Sequence, residues 1–447
     1  MLRNNISIFA PLRLCETQYF KHTTMTIILK NATFINWRNL SFTTTNIKVE
    51  EGENNTLTFF EDFTKIPIAI TDEIIDCKGK FVTKSFAIGH HHAYSALARG
   101  MPAPKKTPTD FLEILKYIWW NLDKALDKDM IEASALATAI ASAKAGATFV
   151  IDHHASPSYI TGSLDVITNA FEKVGVSNLL CYEITDRDGM GKAQKGLDET
   201  EEYLKYHQGL VGLHASFTVG NDTLKKSIDL MEKTNSGIHI HVAEDKYDQT
   251  QCIQHHGKRV VERLDDFGAL NSSKTILAHC LHIDENERNI IKNSPAFVVQ
   301  NTESNLNNNV GYFNSTGLGN NIMFGTDGMH SNMIRSSQAA FFVGQDKDNI
   351  DFVSAYERFR NVHNYLFNNN FSGDGENNLV VLDYDSPTEL NSDNFLGHFI
   401  FGLASNHVQH VISDGKLIVK NRIIQNVDEE EILNFTKEQS LRLWEKL

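Results

Sequence analysis

Residues 86–95 read Phe-Ala-Ile-Gly-His-His-His-Ala-Tyr-Ser and close an apolar, strand-like run that begins at Phe81. Side chains alternate faces along a strand, so His90 and His92 point to one side and His91 to the other. Two imidazoles on one side make half a metal site. A partner for His91 would have to be Gly89 or Ala93, and neither can donate to a metal. Taken alone, the tripeptide reads better as a polar loop tract satisfied by backbone carbonyls. The rest of the chain decides between the two readings.

Outward from this stretch, apolar β-branched runs alternate with amphipathic stretches as far as about residue 367, the mark of a parallel sheet with crossover helices. Strands are expected over residues 81–89, 147–152, 177–185, 210–214, 237–242, 275–279, 296–300 and 321–325, and eight of them suggest a closed barrel. Helices are expected over 111–126, 130–145, 164–174, 222–233 and 257–267. Short β-rich runs precede residue 81, strands return at 379–383 and 408–419, and a Glu-rich helix begins at Glu429. The fold class is therefore α/β: a (β/α)8 TIM-like barrel over residues 81–370, with a small β-sandwich formed by both chain ends, 25–80 and 371–447. Residues 1–24 read as a dispensable extension.

Composition narrows the partners. The chain has 447 residues, 41% of them hydrophobic, and 42 Lys+Arg against 56 Asp+Glu give a net charge of -14. Such a surface repels nucleic acid and anionic membranes. The 5 cysteines are scattered and never spaced Cys-x-x-Cys, which suits a reducing cytoplasm. No apolar run approaches the roughly 20 residues that span a bilayer. A cytoplasmic enzyme acting on a small molecule is expected, and a homodimer is compatible with it.

Potential ligands collect at strand ends, where the loops of a β/α barrel build its site. His90 and His92 close the first strand, His241 and Glu244 the fifth, His279 and His282 the sixth, and Asp327 the eighth. Singly, each could be a structural histidine or a turn aspartate. Together they are a coherent set of imidazole and carboxylate donors for a divalent ion.

The blocks His90-His91-His92, His241-Val242-Ala243-Glu244, His279-Cys280-Leu281-His282 and Gly325-Thr326-Asp327-Gly328 resemble those of the amidohydrolase superfamily, in its aminohydrolase and chlorohydrolase branch. That branch includes cytosine, guanine and S-adenosylhomocysteine deaminases. The stretches Trp119-Trp120-Asn121-Leu122-Asp123, Val150-Ile151-Asp152-His153-His154-Ala155-Ser156-Pro157 and Ser304-Asn305-Leu306-Asn307-Asn308 are similar to the SsnA-type aminohydrolases. The resemblance implies that His90, His92, His241 and Asp327 hold the metal, that Glu244 shuttles protons and that His279 orients the water and polarises the substrate. Asp327 would also collect a proton for the leaving ammonia. Relatives that bridge two metals use a lysine on a middle strand. Residues 210–214 and 179–185 contain none, so one ion is implied, Zn²⁺ or Fe²⁺.

The expected activity is hydrolytic deamination of a purine-like or pyrimidine-like heterocycle by water that the metal makes acidic. Opening of a cyclic amide or chlorohydrolysis at the same site is the alternative. A non-catalytic metal-binding scaffold is a third reading, against which Glu244 argues. His214 is either a substrate contact or a histidine bonded to nearby loops, while His153, His154, Arg187, Asn305 and His330 are candidates for the pocket edge. His239 reads as a support or core residue. Trp119 and Trp120 read as core or subunit contact more readily than as a substrate platform. Cys280 lacks the base a nucleophile needs.

Overall fold

The computed structural model describes residues 26–52 and 56–447, so the extension expected over residues 1–24 lies outside the described residues. Eight parallel strands carry the site: β1 (Phe86–His91), β2 (Ala147–His154), β3 (Ser177–Tyr182), β4 (Val211–Ala215), β5 (Ile238–Val242), β6 (Ile276–His279), β7 (Phe297–Gln300) and β8 (Ile322–Phe324). Every residue in them except Ser177 is buried, which is why they read as continuous apolar runs.

Strands β1 to β3 form one parallel sheet and β4 to β8 another. Isolated bridges link their edges, Leu180 to Gly209 and Ile184 to Leu213 at one seam and His91 to Asp327 at the other. At the second seam the N–H groups of Thr326 and Asp327 both donate to His90 O, at 3.0 and 3.1 Å. Glycine makes that approach feasible. A Cβ on Gly89 would lie 2.7 Å from Phe324 O, and one on Gly325 would lie 2.9 Å from His90 O.

The strand expected over residues 81–89 is two strands. Phe81–Lys84 pairs antiparallel with Leu379–Leu382 and parallel with Ile27–Ile35, and only from Phe86 does the chain join β2. Ser85 N–H donates to Asn378 O and Phe86 N–H to Gly146 O, each at 2.9 Å, so the change of partner takes place between adjacent residues. The polar Thr83-Lys84-Ser85 marks the junction in the sequence, although all three side chains are buried. Both chain ends do build the second sheet. It is a continuous hydrogen-bonded sheet of nine strands around a core of Ile27, Leu29, Ile47, Val82, Val381 and Ile412.

Helices lie between the strands, among them Lys128–Lys144, Ser163–Val174 and Asn221–Thr234. The helix expected over 111–126 is interrupted. A π-helical turn, Leu115–Trp119, separates the α-helical pieces Phe111–Ile114 and Trp120–Ala125, and such turns recur at functional sites. Among the described residues no helix is long and apolar enough to cross a membrane, and the four described cysteines are buried and unpaired.

A buried ion cluster ties the two sheets together where the chain switches between them. Lys84 Nζ lies 2.9 Å from Asp374 Oδ1, and His363 Nδ1 lies 2.8 Å from Asp374 Oδ2. Lys84 also donates to the carbonyls of Asp374 and Gly375, and Arg360 donates to Ser85 O at 2.8 Å. Burial works against the Asp374 charge, but His363 and Lys84 outweigh it and hold the carboxyl at about 2. Removing one partner of such a pair strands the other. Asp374→Asn is expected to lower stability by about 3–5 kcal/mol, read as a fall in melting temperature or denaturant midpoint. An unchanged melt would show that the cluster does not hold this junction.

Candidate active site

The site is built from ring nitrogens whose hydrogen-bond partners determine what each can still do. His92 Nδ1 lies 2.6 Å from His153 O and His241 Nδ1 lies 2.8 Å from His214 O. A backbone carbonyl only accepts, so both Nδ1 atoms carry hydrogen and both Nε2 atoms are lone pairs. Those two Nε2 atoms face each other at 3.1 Å. His90 Nδ1 is engaged with His239 Nε2 at 2.8 Å, and His90 Nε2 is a third nitrogen of the group, buried and without a hydrogen-bond partner. Asp327 Oδ1 closes the group at 3.3 Å from His92 Nε2 and 3.8 Å from His90 Nε2. Converging acceptors with no hydrogen between them suit a cation, and imidazole with carboxylate suits a divalent metal.

Burial supports the same state. It depresses the pKa of His90, His92 and His241, which keeps the rings neutral and their lone pairs available. Asp327 is held below the usual carboxylate range in spite of its burial. Glu244 behaves oppositely. Burial raises it to about 7, with Asp327 adding to the rise and His279 opposing it. The Glu244 carboxylate lies 3.6 Å from His279 Nε2, which is also 3.7 Å from Asp327 Oδ2. His279 Nδ1 is taken by Asn305 Oδ1 at 2.8 Å, so Nε2 is the ring nitrogen turned toward both carboxylates.

The backbone is strained where it delivers these groups. Ala243, His279, Cys280 and Asp327 have positive φ, between 45° and 72°. Side chains other than glycine adopt that region at a cost of about 1–3 kcal/mol each. The turn after each strand swings the functional side chain inward.

His90, His92, His241, His279, Glu244 and Asp327 are thus brought together, and all except His90 line a cavity of about 640 Å³, mouth included. His91 points away to Thr326 Oγ1 at 2.8 Å, as strand alternation requires. His214 and Arg187 also line the cavity. His153, Asn305 and His330, candidates for the pocket edge, are not among its lining residues. His153 is packed under the metal group against His92 and His241, Asn305 holds His279 from behind, and Glu303 draws His330 aside at 2.5 Å. His154 bonds Ser156 Oγ at 2.8 Å and His282 bonds Val310 O at 2.6 Å, so neither joins the site.

Sequence reasoning missed other parts of the wall. Trp119 and Trp120, read as core or subunit contact, border the cavity, with Tyr94, Asp123 and Glu183 beside them. The π-helical turn ends at Trp119, immediately before Trp120, and nothing in the local hydrophobic pattern announces it. The sequence signal was the stretch Trp119 to Asp123 itself, quoted above for its resemblance.

Residues 88–357 match the model of the Amidohydrolase family, and the chain belongs to that family. It is a hydrolase of carbon–nitrogen bonds. Among curated relatives it is 26% identical over 435 residues to 5-methylthioadenosine/S-adenosylhomocysteine deaminase of Thermoanaerobacter pseudethanolicus, covering 92% of this chain and 97% of that protein. It is also 26% identical to 5'-deoxyadenosine deaminase of Methanopyrus kandleri, over 78% of this chain and 83% of that one. Among solved structures, a zinc-bound adenosine deaminase from Xanthomonas campestris superposes with a TM-score of 0.76 at 16% identity, covering 94% and 98% of the two chains.

The donor set leads to a direct measurement. Purified protein is expected to carry about one divalent ion per chain, and His241→Ala or Asp327→Ala is expected to lose most of it by elemental analysis. Full metal content in the His241→Ala protein would remove His241 from the ligand set.

Proposed function

We propose that the protein hydrolytically deaminates an amino-substituted nitrogen heterocycle, purine-like or pyrimidine-like, in the mouth of a closed eight-stranded barrel. The observation that carries this reading is Glu244: a half-buried carboxylate, outside each of the groups close enough to share an ion, set beside His279 and Asp327. A structural ion needs ligands but no free carboxylate next to them. The deaminases of adenosine-type compounds among the relatives favour a purine.

His90, His92, His241 and Asp327 would hold one ion, Zn²⁺ by the fit of its donors. Its chemistry when bound is Lewis acidity, which lowers the pKa of water to about 7. The remaining work belongs to the chain. Glu244 takes a proton from the attacking water and delivers it to the ring nitrogen, so that the attacked carbon can become tetrahedral. His279, fixed by Asn305, directs its Nε2 at the same region and orients the water. Asp327 takes the second proton and passes it to the departing nitrogen. Water adds to the carbon, the carbon–nitrogen bond breaks and ammonia leaves. Trp119, Trp120 and Tyr94 wall the cavity with aromatic surface suited to a flat ring.

Ammonia release over a panel of aminopurines, aminopyrimidines and cyclic ureas tests the reading. Wild-type protein is expected to free ammonia from at least one amino-heterocycle. Glu244→Gln is expected to keep its metal and lose roughly 10²- to 10⁴-fold in kcat with little change in KM. Turnover without ammonia would make ring opening the activity, and equal rates in Glu244→Gln would remove the proton shuttle.

A further inference from the structure

One wall of the cavity carries a charge cluster that the deamination steps do not use. Arg187 is at its centre, and its nitrogens point at three different carboxylates. Nη2 pairs with Asp123 Oδ2, Nη1 lies 3.0 Å from Glu183 Oε1 and Nε lies 3.2 Å from Asp188 Oδ2. Lys124 Nζ reaches the other oxygen of Asp188 at 2.9 Å. The Arg187, Asp123, Glu183 and Asp188 side chains are only 2–7% exposed. Two cations thus face three carboxylates in this cluster. A guanidinium engaged in this way has no fork left with which to clasp an anionic substrate.

The same arrangement leaves acceptors over. Asp123 Oδ1 is buried with no hydrogen-bond partner. Glu183 Oε1 has only the Arg187 Nη1 ion pair at 3.0 Å. Glu183 Oε2 is 3.6 Å from His153 Nδ1. That nitrogen is itself a lone pair, since His153 donates through Nε2 to Leu213 O at 3.1 Å. Buried carboxylate oxygens without donors are costly, and both Asp123 and Glu183 line the cavity. Trp120 supplies an aromatic face at this wall, with the Arg187 guanidinium carbon 5.2 Å from its ring centroid.

We infer that Asp123 and Glu183 form an acidic subsite for a flat cationic nitrogen group of the substrate, of the amidinium or guanidinium class, beside the ring that is deaminated. A planar fork of N–H donors reaches Asp123 Oδ1 and the Glu183 carboxylate together. A carboxylate or phosphate at that position would meet carboxylates instead of donors. The inference rests on the deaminase reading in taking this cavity as the substrate's.

Binding of benzamidine and of its neutral near-isostere benzamide to the metal-loaded protein, by titration calorimetry, tests it. Wild type is expected to bind benzamidine roughly 10- to 100-fold more tightly, the range for a hydrogen bond to a charged group. In Glu183→Gln, and separately in Asp123→Asn, the preference is expected to collapse toward equality while metal content and melting behaviour show the protein folded. Equal affinity of wild type for the two probes overturns the subsite, as does a preference that persists undiminished in both variants. Neither readout involves turnover, so a failed subsite and a failed deaminase assignment are told apart by the ammonia assay.

Discussion

Two backbone carbonyls govern the centre. His153 O and His214 O can only accept, so they force His92 and His241 to spend their Nδ1 hydrogens on the scaffold and to present bare Nε2 atoms 3.1 Å apart. Each carbonyl comes from the strand next to that of the histidine it holds, β2 beside β1 and β4 beside β5. Sequential parallel pairing is therefore a condition of the site's chemistry as well as of its shape. The seam between β1 and the end of β8 does the same for Asp327, whose N–H is held by His90 O. Once the strands are in register the donors cannot be pointed elsewhere without breaking main-chain hydrogen bonds.

Burial then acts in opposite directions on the two kinds of group. It keeps the imidazoles neutral, which a metal ligand needs, and it raises Glu244 toward the range where a carboxyl both gives and takes a proton. The carboxylates Asp123 and Glu183 are pushed up as well, to about 6 and about 7, with Arg187 opposing the rise. The cavity thus has one side of lone pairs arranged for a cation and another of carboxylates only partly answered by Arg187. A molecule that fits must bring donors to the second side while offering an attackable carbon to the first.

Much of this was legible in the chain. A run of buried parallel strand is apolar until it ends, so His90, His92, His241, His279 and Asp327 stood out as polar residues at apolar boundaries, and the period of two separated His91 from its neighbours. Partners distant in sequence were not legible. His330 is drawn off by Glu303 and His153 is covered by the metal group, while Arg187 is consumed by Asp123, 64 residues earlier in the chain. At Ser85 the polar Lys84-Ser85 break was legible, but not the change of sheet that it accompanies, which depends on Asn378 and Gly146.

The sequence by itself determined the alternation of strands and helices, the strand ends at which donors appear and the side of β1 on which each histidine falls, because these follow from the local periodicity of the chain. Tertiary structure decided which ring nitrogen keeps its hydrogen, that a π-helical turn places Trp119 and Trp120 on the cavity wall, and that Arg187 faces carboxylates in place of substrate. Those outcomes depend on atoms brought within about 3 Å of each other from strands and loops far apart in the chain, and no local pattern records that distance.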